Sequence, residues 1–336
     1  MIERRASLAA VLAAAALASC SGASFSGTPA GTQTAPQRVQ FGGQMVRFGG
    51  PNRAPHAGPG WLSKPAATTS LLYGSSYDGG FINIYDERGK NQQPIGKLTS
   101  SLVSPQGMVV DGHHQLWVAN TNAFNVVAFK RGATTPFTTL NDPNYFPISV
   151  AVDNKGTVYA ANAESTTGPP GNVTVWAQGH TNPTATLTYS NFQIVLGIGV
   201  DHSNNVYVSY VPQSGPPAMV EFPAGSHTGQ PVAIVNANIS DIDFDKNSNL
   251  LMETLSNTLG IWAPPYTSGP SRTINAFGNE PTLDKAQRKV WVAYANFSTP
   301  KIEGYNYASG ALVDTITNGW TTSAVPYGVA LDPALR

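Results

Sequence analysis

From Ser104 onward the chain repeats one pattern of apolar and polar positions. A short apolar run ends in an aspartate, a few mostly polar residues follow, and a second run of β-branched or aromatic residues begins. The clearest copy is Ser104–Lys130, SPQGMVVDGHHQLWVANTNAFNVVAFK. Short β-rich runs that are separated by turn residues predict strands rather than helices.

The same pattern occurs six times. The aspartates that end the first run of each copy are Asp111, Asp153, Asp201, Asp245, Asp284 and Asp332. Third and fourth β-rich runs fall within the intervals between them. Four strands in each repeat of this length, without helical periodicity, are typical of propeller blades. The sequence therefore predicts an all-β fold, a six-bladed β-propeller.

The two ends of the repeat region predict how the ring closes. The last copy stops just after its first strand, whereas residues 70–100 supply a second, third and fourth strand without a first. We therefore expect Tyr327–Leu331 to pair beside Leu71–Ser75, so that the C-terminal strand joins the N-terminal blade strands. Ring closure removes free sheet edges. The only cysteine, Cys20, allows no internal disulfide.

The first twenty residues predict an export signal. Arg4 and Arg5 precede an apolar stretch, 6–18, that is too short to span a bilayer and fits a signal peptide. The stretch runs into Leu17–Cys20, LASC, which resembles the lipobox of bacterial lipoproteins. The resemblance implies that Cys20 carries lipid and anchors the protein in the bacterial cell envelope, at the outer membrane or cell surface or facing the periplasm. The alternative is an ordinary cleaved signal with an incidental cysteine.

Composition divides the remainder into a tether and a domain. Residues 21–68 are rich in Gly, Pro, Ser, Thr and Gln, so we expect a flexible tether that leads to a propeller at 69–336. The alternative is a partner-binding segment that uses Phe41, Met45, Val46 and Phe48. Lys and Arg total 19, as do Asp and Glu, so no overall field attracts nucleic acid. We expect a monomer.

The repeated residues resemble those of known propeller families. The core D-x-x-[GN]-x-[VL]-[WY]-V with a later N-x-[VI] strand, best seen at Asp111–Phe129, resembles NHL-repeat and SMP-30/gluconolactonase-like six-bladed propellers over about 70–336. The SMP-30-like hydrolases hold a metal at the channel mouth with one Glu, two Asn and one Asp. This resemblance implies that Asn162 and Asn296 would supply the amides. The first-strand Glu and the catalytic Asp of that family have no counterpart here.

The repeated residues themselves predict scaffold roles. Each aspartate ends an innermost strand and opens a tight turn, where its carboxylate can accept backbone N–H bonds. Aromatic residues recur at one register of the second strand, and we expect them to pack between blades. They are Trp117, Tyr159, Tyr207 and Trp291.

Functional residues are expected where the repeat is not kept, in the loops after the second strands. These loops share one face with those that enter the innermost strands, and we call it the loop face. Our candidate ligand or metal residues there are Asn120, Asn122, Asn162, Glu164, Glu253 and Asn296. We also expect on it Ser75, Asp78, Tyr210, Asn257, Asn279 and Glu280. Converging amide and carboxylate oxygens suit Ca²⁺ or another divalent metal. The alternative is that these Asn side chains only satisfy turn backbone.

Known catalytic motifs are not found in the sequence. The six His have no zinc-ligand spacing, and no G-x-S-x-G, phosphate loop or CxxC occurs. The sequence therefore favours a non-enzymatic, lipid-anchored scaffold that binds a protein, glycan or small ligand. The alternative is a metal-dependent, lactonase-like hydrolase with its site at the channel mouth.

Overall fold

The computed structural model describes residues 37–41, 44–48, 59–63, 69–238 and 240–333, with backbone pairing alone for the first two ranges. The predicted signal peptide and the lipidation candidate Cys20 lie outside these residues. Within them, no helix has the length and apolar character needed to cross a membrane.

Six antiparallel sheets form the blades of a propeller. Blade 1 contains β27 (Gly328–Asp332), β4 (Leu71–Ser76), β5 (Phe81–Asp86), β6 (Gly96–Leu98) and β3 (Trp61–Leu62). Blade 2 contains β7 (Pro105–Val110), β8 (Gln115–Asn120), β9 (Asn125–Lys130) and β10 (Thr138–Asn141). Blade 3 contains β11 (Tyr145–Val152), β12 (Val158–Ser165), β13 (Asn172–Trp176) and β14 (Ala185–Leu187).

The other three blades follow in the same order. Blade 4 contains β15 (Phe192–Val200), β16 (Val206–Pro212), β17 (Ala218–Phe222) and β18 (Gln230–Val232). Blade 5 contains β19 (Asp243–Phe244), β20 (Leu250–Glu253), β21 (Leu259–Trp262) and β22 (Arg272–Ile274). Blade 6 contains β23 (Asn279–Leu283), β24 (Lys289–Tyr294), β25 (Lys301–Asn306) and β26 (Leu312–Ile316). The first strand of each blade contacts the first strands of its neighbours, so these six strands surround the axis. The predicted six-bladed propeller is confirmed.

The ring closes as the sequence predicts. β27 pairs antiparallel with β4, from Gly328 opposite Ser75 to Asp332 opposite Leu71. Blade 1 has a fifth strand, β3, which pairs with β6. This strand falls inside the segment predicted as a tether. So do β1 (Gln37–Phe41) and β2 (Gln44–Phe48), which form a separate two-stranded sheet.

The turn aspartates have the predicted scaffold role. In Asp111, Asp153, Asp201 and Asp245, the Oδ1 atom accepts the backbone N–H groups of the residues two and four positions further on. Asp284 opens a turn that is one residue longer, and its Oδ1 accepts the backbone N–H groups four and five positions on. Each of these carboxylates therefore satisfies turn amides that no strand pairs.

The repeated aromatic residues pack between blades, as predicted. Trp117 of blade 2 lies in one apolar cluster with Val150 and Trp176 of blade 3. Trp291 of blade 6 clusters in the same way with Leu72 and Tyr85 of blade 1. Burial of such large side chains is the main favourable contribution to folding, and here it joins one blade to the next.

The sixth turn aspartate, Asp332, opens no turn within the repeat because the second strand of its blade comes from the other end of the chain. Its buried carboxylate instead pairs with Arg131, and its Oδ1 lies 2.6 Å from Nδ1 of His114. The guanidinium of Arg131 also donates to the carbonyl of Thr69, just before β4, and to that of Pro333, just after β27. Arg131 of blade 2 therefore holds together the segment that enters β4 and the segment that leaves β27. We call Arg131, His114 and Asp332 the closing clasp.

Loss of the clasp cation is expected to destabilise the whole ring. Arg131→Met keeps most of the aliphatic stem but leaves the Asp332 carboxylate buried without its main cation. Removing one partner of a buried pair costs about 3–5 kcal/mol. We expect a fall of that size in the free energy of unfolding, measured by urea denaturation monitored by tryptophan fluorescence.

Arg288→Met is the matched control. Arg288 lies near the turn aspartate of blade 6, with 3.8 Å between Nε and Asp284 Oδ2, but its side chain is 80% exposed. Exposed pairs contribute about 0–1 kcal/mol. Equal effects of the two substitutions would show that the clasp does not stabilise ring closure.

Candidate functional site

The predicted loop residues of blade 2 are buried and hydrogen-bonded within their own surroundings. Asn120 is fully buried, its Oδ1 accepts the Val103 N–H at 2.6 Å, and its Nδ2 donates to the Ser101 carbonyl and to Asn125 Oδ1. Asn122 donates from Nδ2 to Tyr77 Oη and Ser104 Oγ, both at 3.1 Å. These amides connect loops to one another, as the alternative reading of the Asn residues expects.

In blade 3, Asn162 belongs to a buried polar chain. Its Nδ2 donates to Asn172 Oδ1 at 2.7 Å and to Thr174 Oγ1 at 2.8 Å, and Thr174 in turn donates to Asp142 Oδ1 at 2.8 Å. Burial raises the pKa of Asp142 to about 7, although the bonds from Thr174 and Asn162 oppose this shift. Glu164, two residues beyond Asn162, is also buried.

The two remaining candidates lie in blades 5 and 6. Glu253 is buried at the end of β20, where its Oε2 lies 3.3 Å from Asn238 Nδ2. Asn296 is half-buried, and its Oδ1 accepts the backbone N–H groups of Ser298 and Thr299. Asn296 therefore organises its own loop.

The bonds described above hold each of Asn120, Asn122, Asn162 and Asn296 to its own surroundings, and none of these bonds runs from one candidate to another. The oxygens Asn122 Oδ1, Asn162 Oδ1 and Asp142 Oδ2 lack a hydrogen-bond partner within this part of the chain. In the described ranges, no three or more His, Cys, Asp or Glu side chains are grouped so that they could hold a metal ion. The metal site at the loop face stays a prediction.

A different set of residues lies on the propeller axis. In each blade, one residue stands four positions before the turn aspartate, and together these six residues form what we call the axial ring. The axial ring consists of Gly107, Ser149, Gly197, Asp241, Glu280 and Gly328. Four members are small and two are acidic, and the small ones leave room for the two acids. A Cβ atom on Gly328 would overlap Glu280 Oε2, and one on Gly197 would lie 2.7 Å from the Asp241 Cα.

Glu280 connects three blades. It sits at an irregularity in the pairing of β23 with β24, in the left-handed region with φ of 50°. Such a bulge re-aims a side chain. The carboxylate reaches β7 of blade 2, where Oε1 accepts the Met108 N–H, and β27 of blade 1, where Oε2 accepts the Val329 N–H at 2.8 Å.

Asp241 connects the opposite half of the ring. Its Oδ1 accepts the Ser149 hydroxyl of β11 at 2.7 Å and the Ile198 N–H of β15 at 3.2 Å. It also accepts the N–H of Ile242, next along the chain, at 3.0 Å. Asp241 belongs to blade 5 and therefore reaches blades 3 and 4. Together, Asp241 and Glu280 accept hydrogen bonds from blades 1 to 5, and Glu280 itself belongs to blade 6, so the two carboxylates link the first strands or strand entries of all six blades.

The electrostatics of the pair follow from its burial. Burial raises the pKa of Asp241 to about 6, against the opposing bonds from Ser149 and Ile198. Burial, and next the charge of Asp241, raise the pKa of Glu280 well above its ordinary range. Asp243, two residues on, has a pKa raised to about 6 by burial, although the Phe244 and Leu283 N–H groups stabilise its charged form. A carboxyl in such surroundings retains a proton at a pH where exposed acids are ionised.

A cavity of about 290 Å³ extends along the axis from the axial-ring acids to the turn that follows β23. Its wall contains half-buried aliphatic side chains from five blades, Val110, Val152, Val200, Leu283 and Leu331. Asp243 supplies a carboxylate from the remaining blade, and Lys285 and Gln287 lie at the turn end. The cavity therefore lies toward the turn-aspartate face, whereas the predicted candidates were placed on the loop face.

Sequence reasoning placed Glu280 on the loop face and missed Asp241 and Asp243. The signal that would have found them is the aligned repeat itself. Gly, Ser, Gly and Gly occupy the axial-ring position in four copies, and a carboxylate replaces them in two. A departure from a small residue at a position facing the axis predicts a side chain that crosses the channel.

No family model matches the chain, and no curated protein matches it. Solved structures do. A chain of the crystal structure of a nidogen/laminin complex aligns with a TM-score of 0.63 at 16% identity, covering 79% of this chain and 98% of that one. A Bacteroides caccae protein described as of unknown function aligns with a TM-score of 0.58 at 8% identity, covering 79% and 99%. At these identities the likeness shows the β-propeller fold alone, and the NHL and SMP-30 resemblance stays a prediction.

We expect that the space around the axial-ring acids is too small for an added side-chain atom. Gly328→Ala places a Cβ against Glu280 Oε2, with the Gln106 carbonyl at 2.6 Å, so the carboxylate or the strand must shift. Overpacking of this kind costs about 1–3 kcal/mol. We expect the free energy of unfolding in urea to fall by that amount.

Gly112→Ala provides the comparison, because a Cβ there has no atom within 4 Å. We expect this variant to unfold at the urea concentration of the wild type, within error. If Gly328→Ala were equally neutral, the close contact with Glu280 would be refuted.

Proposed function

We propose that this protein is a lipid-anchored, extracytoplasmic β-propeller that binds a protein partner with its loop face. The observation that carries the proposal is a pair of exposed apolar side chains on blade 5. Val235 and Leu255 are 51% and 56% exposed. We call them the blade-5 patch.

The blade-5 patch lies on two neighbouring loops. The Leu255 N–H donates to the Asn236 carbonyl, and Ala237 bridges Thr254, so the two segments run antiparallel beside each other. One segment follows the second strand, β20, and the other leads toward the first strand, β19. Loops of these two kinds are expected on the loop face, and exposed apolar side chains grouped on neighbouring loops favour protein contacts.

The comparison with solved structures supports the same class of partner. The nidogen/laminin structure shows a propeller-like chain in a protein complex. Transfer of protein binding to the present chain is our proposal, because a shared fold does not carry a shared function. A glycan or a small ligand would be the alternative occupant of the loop face.

Envelope anchoring is supported by the sequence at Leu17–Cys20. The preceding basic residues and apolar stretch stand where a lipoprotein signal has them. Acyl chains on Cys20 would hold the propeller at a membrane, since each buried methylene contributes about 0.8 kcal/mol. The low charged fraction, 11%, agrees with an uncharged polar surface outside the cytoplasm.

Site-specific crosslinking tests the proposed partner face. A photo-reactive amino acid at position 255, in the full chain produced in its native cells, is expected to give a protein adduct of defined mass. The matched control is position 312, because Leu312 is 52% exposed but begins the outermost strand of blade 6. Equal adducts from both positions, or none from 255, would contradict the proposal, and a carbohydrate adduct would change the partner class.

Cell fractionation tests the anchor. Cys20→Ala is expected to move the protein from the membrane fraction to the soluble envelope fraction or to leave the precursor unprocessed, because no thiol remains to carry lipid. Cys20→Ser is a conservative control that also lacks the thiol, and it should behave in the same way. An unchanged, processed and membrane-bound Cys20→Ala protein would contradict lipid anchoring.

A further inference from the structure

The axial cavity has acids at its inner end and its mouth at the turn-aspartate face. Asp241 and Glu280 are the lining residues farthest from the turns, and among the described residues none on the loop-face side of them lines the cavity. At the other end the lining reaches Asp284, Lys285 and Gln287, in the turn that follows β23. About 13 Å of strand separates the positions of Glu280 and Asp284, because a strand rises about 3.3 Å per residue. The cavity can therefore hold an extended small molecule along the axis.

The wall between these two ends is mostly aliphatic. In five blades, the residue before the turn aspartate is a half-buried Val or Leu that lines the cavity. We call these residues the aliphatic collar, and they are Val110, Val152, Val200, Leu283 and Leu331. Hydrocarbon surface that is left exposed inside a cavity favours a ligand with an apolar body, because binding removes that surface from water.

Two aspartates near the inner end can accept further hydrogen bonds. Asp241 and Asp243 are both half-buried and both line the cavity. The three hydrogen bonds that Asp241 accepts all end on Oδ1, and Oδ2 accepts none of the bonds between described residues. Each oxygen of Asp243 accepts one backbone N–H, at 2.7 and 3.1 Å, and a carboxylate oxygen can accept two bonds. A ligand with several N–H donors would therefore find acceptors here.

The charges that line the cavity favour a cationic ligand. Lys285 is the only Lys, Arg or His among the described residues of the lining, and it lies at the mouth beside Asp284. The carboxylates farther in therefore have no cation beside them in the cavity. A cation within about 4–6 Å favours the ionised form of a carboxyl group, so its binding would offset the cost of burying these charges.

We propose that the axial cavity binds a primary alkylammonium ion, whose ammonium group donates to Asp241 and Asp243 and whose hydrocarbon chain lies against the aliphatic collar. An organic cation suits the cavity better than a metal ion, because no group of three or more His, Cys, Asp or Glu in the described ranges could hold a metal. The lining contains neither Val235 nor Leu255. The proposal is therefore independent of the protein contact proposed for the blade-5 patch.

Calorimetric titration of the full chain with n-hexylammonium chloride tests the proposal. At about pH 7.5, acids whose pKa is about 6 are ionised, and an alkylammonium ion, like a Lys side chain, is charged. We expect saturable binding of one ion per chain. The neutral analogue n-hexanol should bind at least tenfold more weakly, because it lacks the charge-assisted hydrogen bonds. No saturable binding of hexylammonium, or equal binding of hexanol, would overturn the proposal.

The length of the hydrocarbon chain tests the collar. n-Butylammonium should bind more weakly than n-hexylammonium, by about fourfold for each methylene removed, because each methylene is buried against the collar. Equal affinities of the two ions would overturn the placement of the chain in the cavity.

Asp241→Asn tests the ammonium site. The variant keeps an amide oxygen for the three donors to Oδ1 and removes the charge, so we expect hexylammonium to bind about tenfold more weakly. Asp314→Asn is the matched control, because the Asp314 carboxylate is also buried and also accepts the N–H of the next residue at Oδ1, but lies on β26 outside the cavity. This control should retain the wild-type affinity, and equal affinities of the two variants would overturn the role of Asp241.

Methyl NMR locates the bound ion without any variant of the acids, so it decides the proposal even if Asp241→Asn fails to fold. Hexylammonium should shift the methyl resonances of the aliphatic collar and leave those of Val235 and Leu255 unchanged. Shifts at Val235 and Leu255 without shifts in the collar would place the ion on the blade-5 patch and overturn the proposal.

Discussion

The propeller depends on how its six innermost strand edges are satisfied at the axis. A blade's first strand pairs with its second on one side only, and its other edge faces the channel with backbone N–H groups that need acceptors. Asp241 and Glu280 provide these acceptors for Ile198, Ile242, Met108 and Val329. Two side chains thus connect strands that are far apart in the chain, which is important in a fold without an internal disulfide.

The local features of this fold could be predicted from the sequence because each depends on a few neighbouring residues. The turn aspartates bond amides two to five positions away, and the aromatic residues recur at a fixed register, so both appear in a single repeat. Ring closure was also predictable, since a missing first strand at one end matches a surplus one at the other. The bonds of the axial acids were not predictable, because they cross between blades, although alignment of the repeats does show that carboxylates replace small residues at two axial positions.

The contacts of the candidate loop residues could not be predicted from the sequence. Asn120 ends β8, as predicted, whereas β12 continues three residues beyond Asn162. The amides of both bond within the loops and strands beside them and are fully buried. An Asn at a strand end has the same sequence pattern whether it binds a ligand or connects a loop. Only the partners of its amide distinguish the two. The sequence therefore could not determine what these side chains contact.

Blade 5 is where the repeat departs most from its regular form. Its first strand, β19, has only two residues, whereas β11 and β15 have eight and nine. The same blade supplies Asp241 and Asp243 to the axis and the blade-5 patch to the loop face. A short first strand loses ladder hydrogen bonds, and the carboxylates replace part of that pairing with bonds to other blades. The bonds from Asp241 to blades 3 and 4 therefore supplement a short ladder in the same blade whose loops expose Val235 and Leu255.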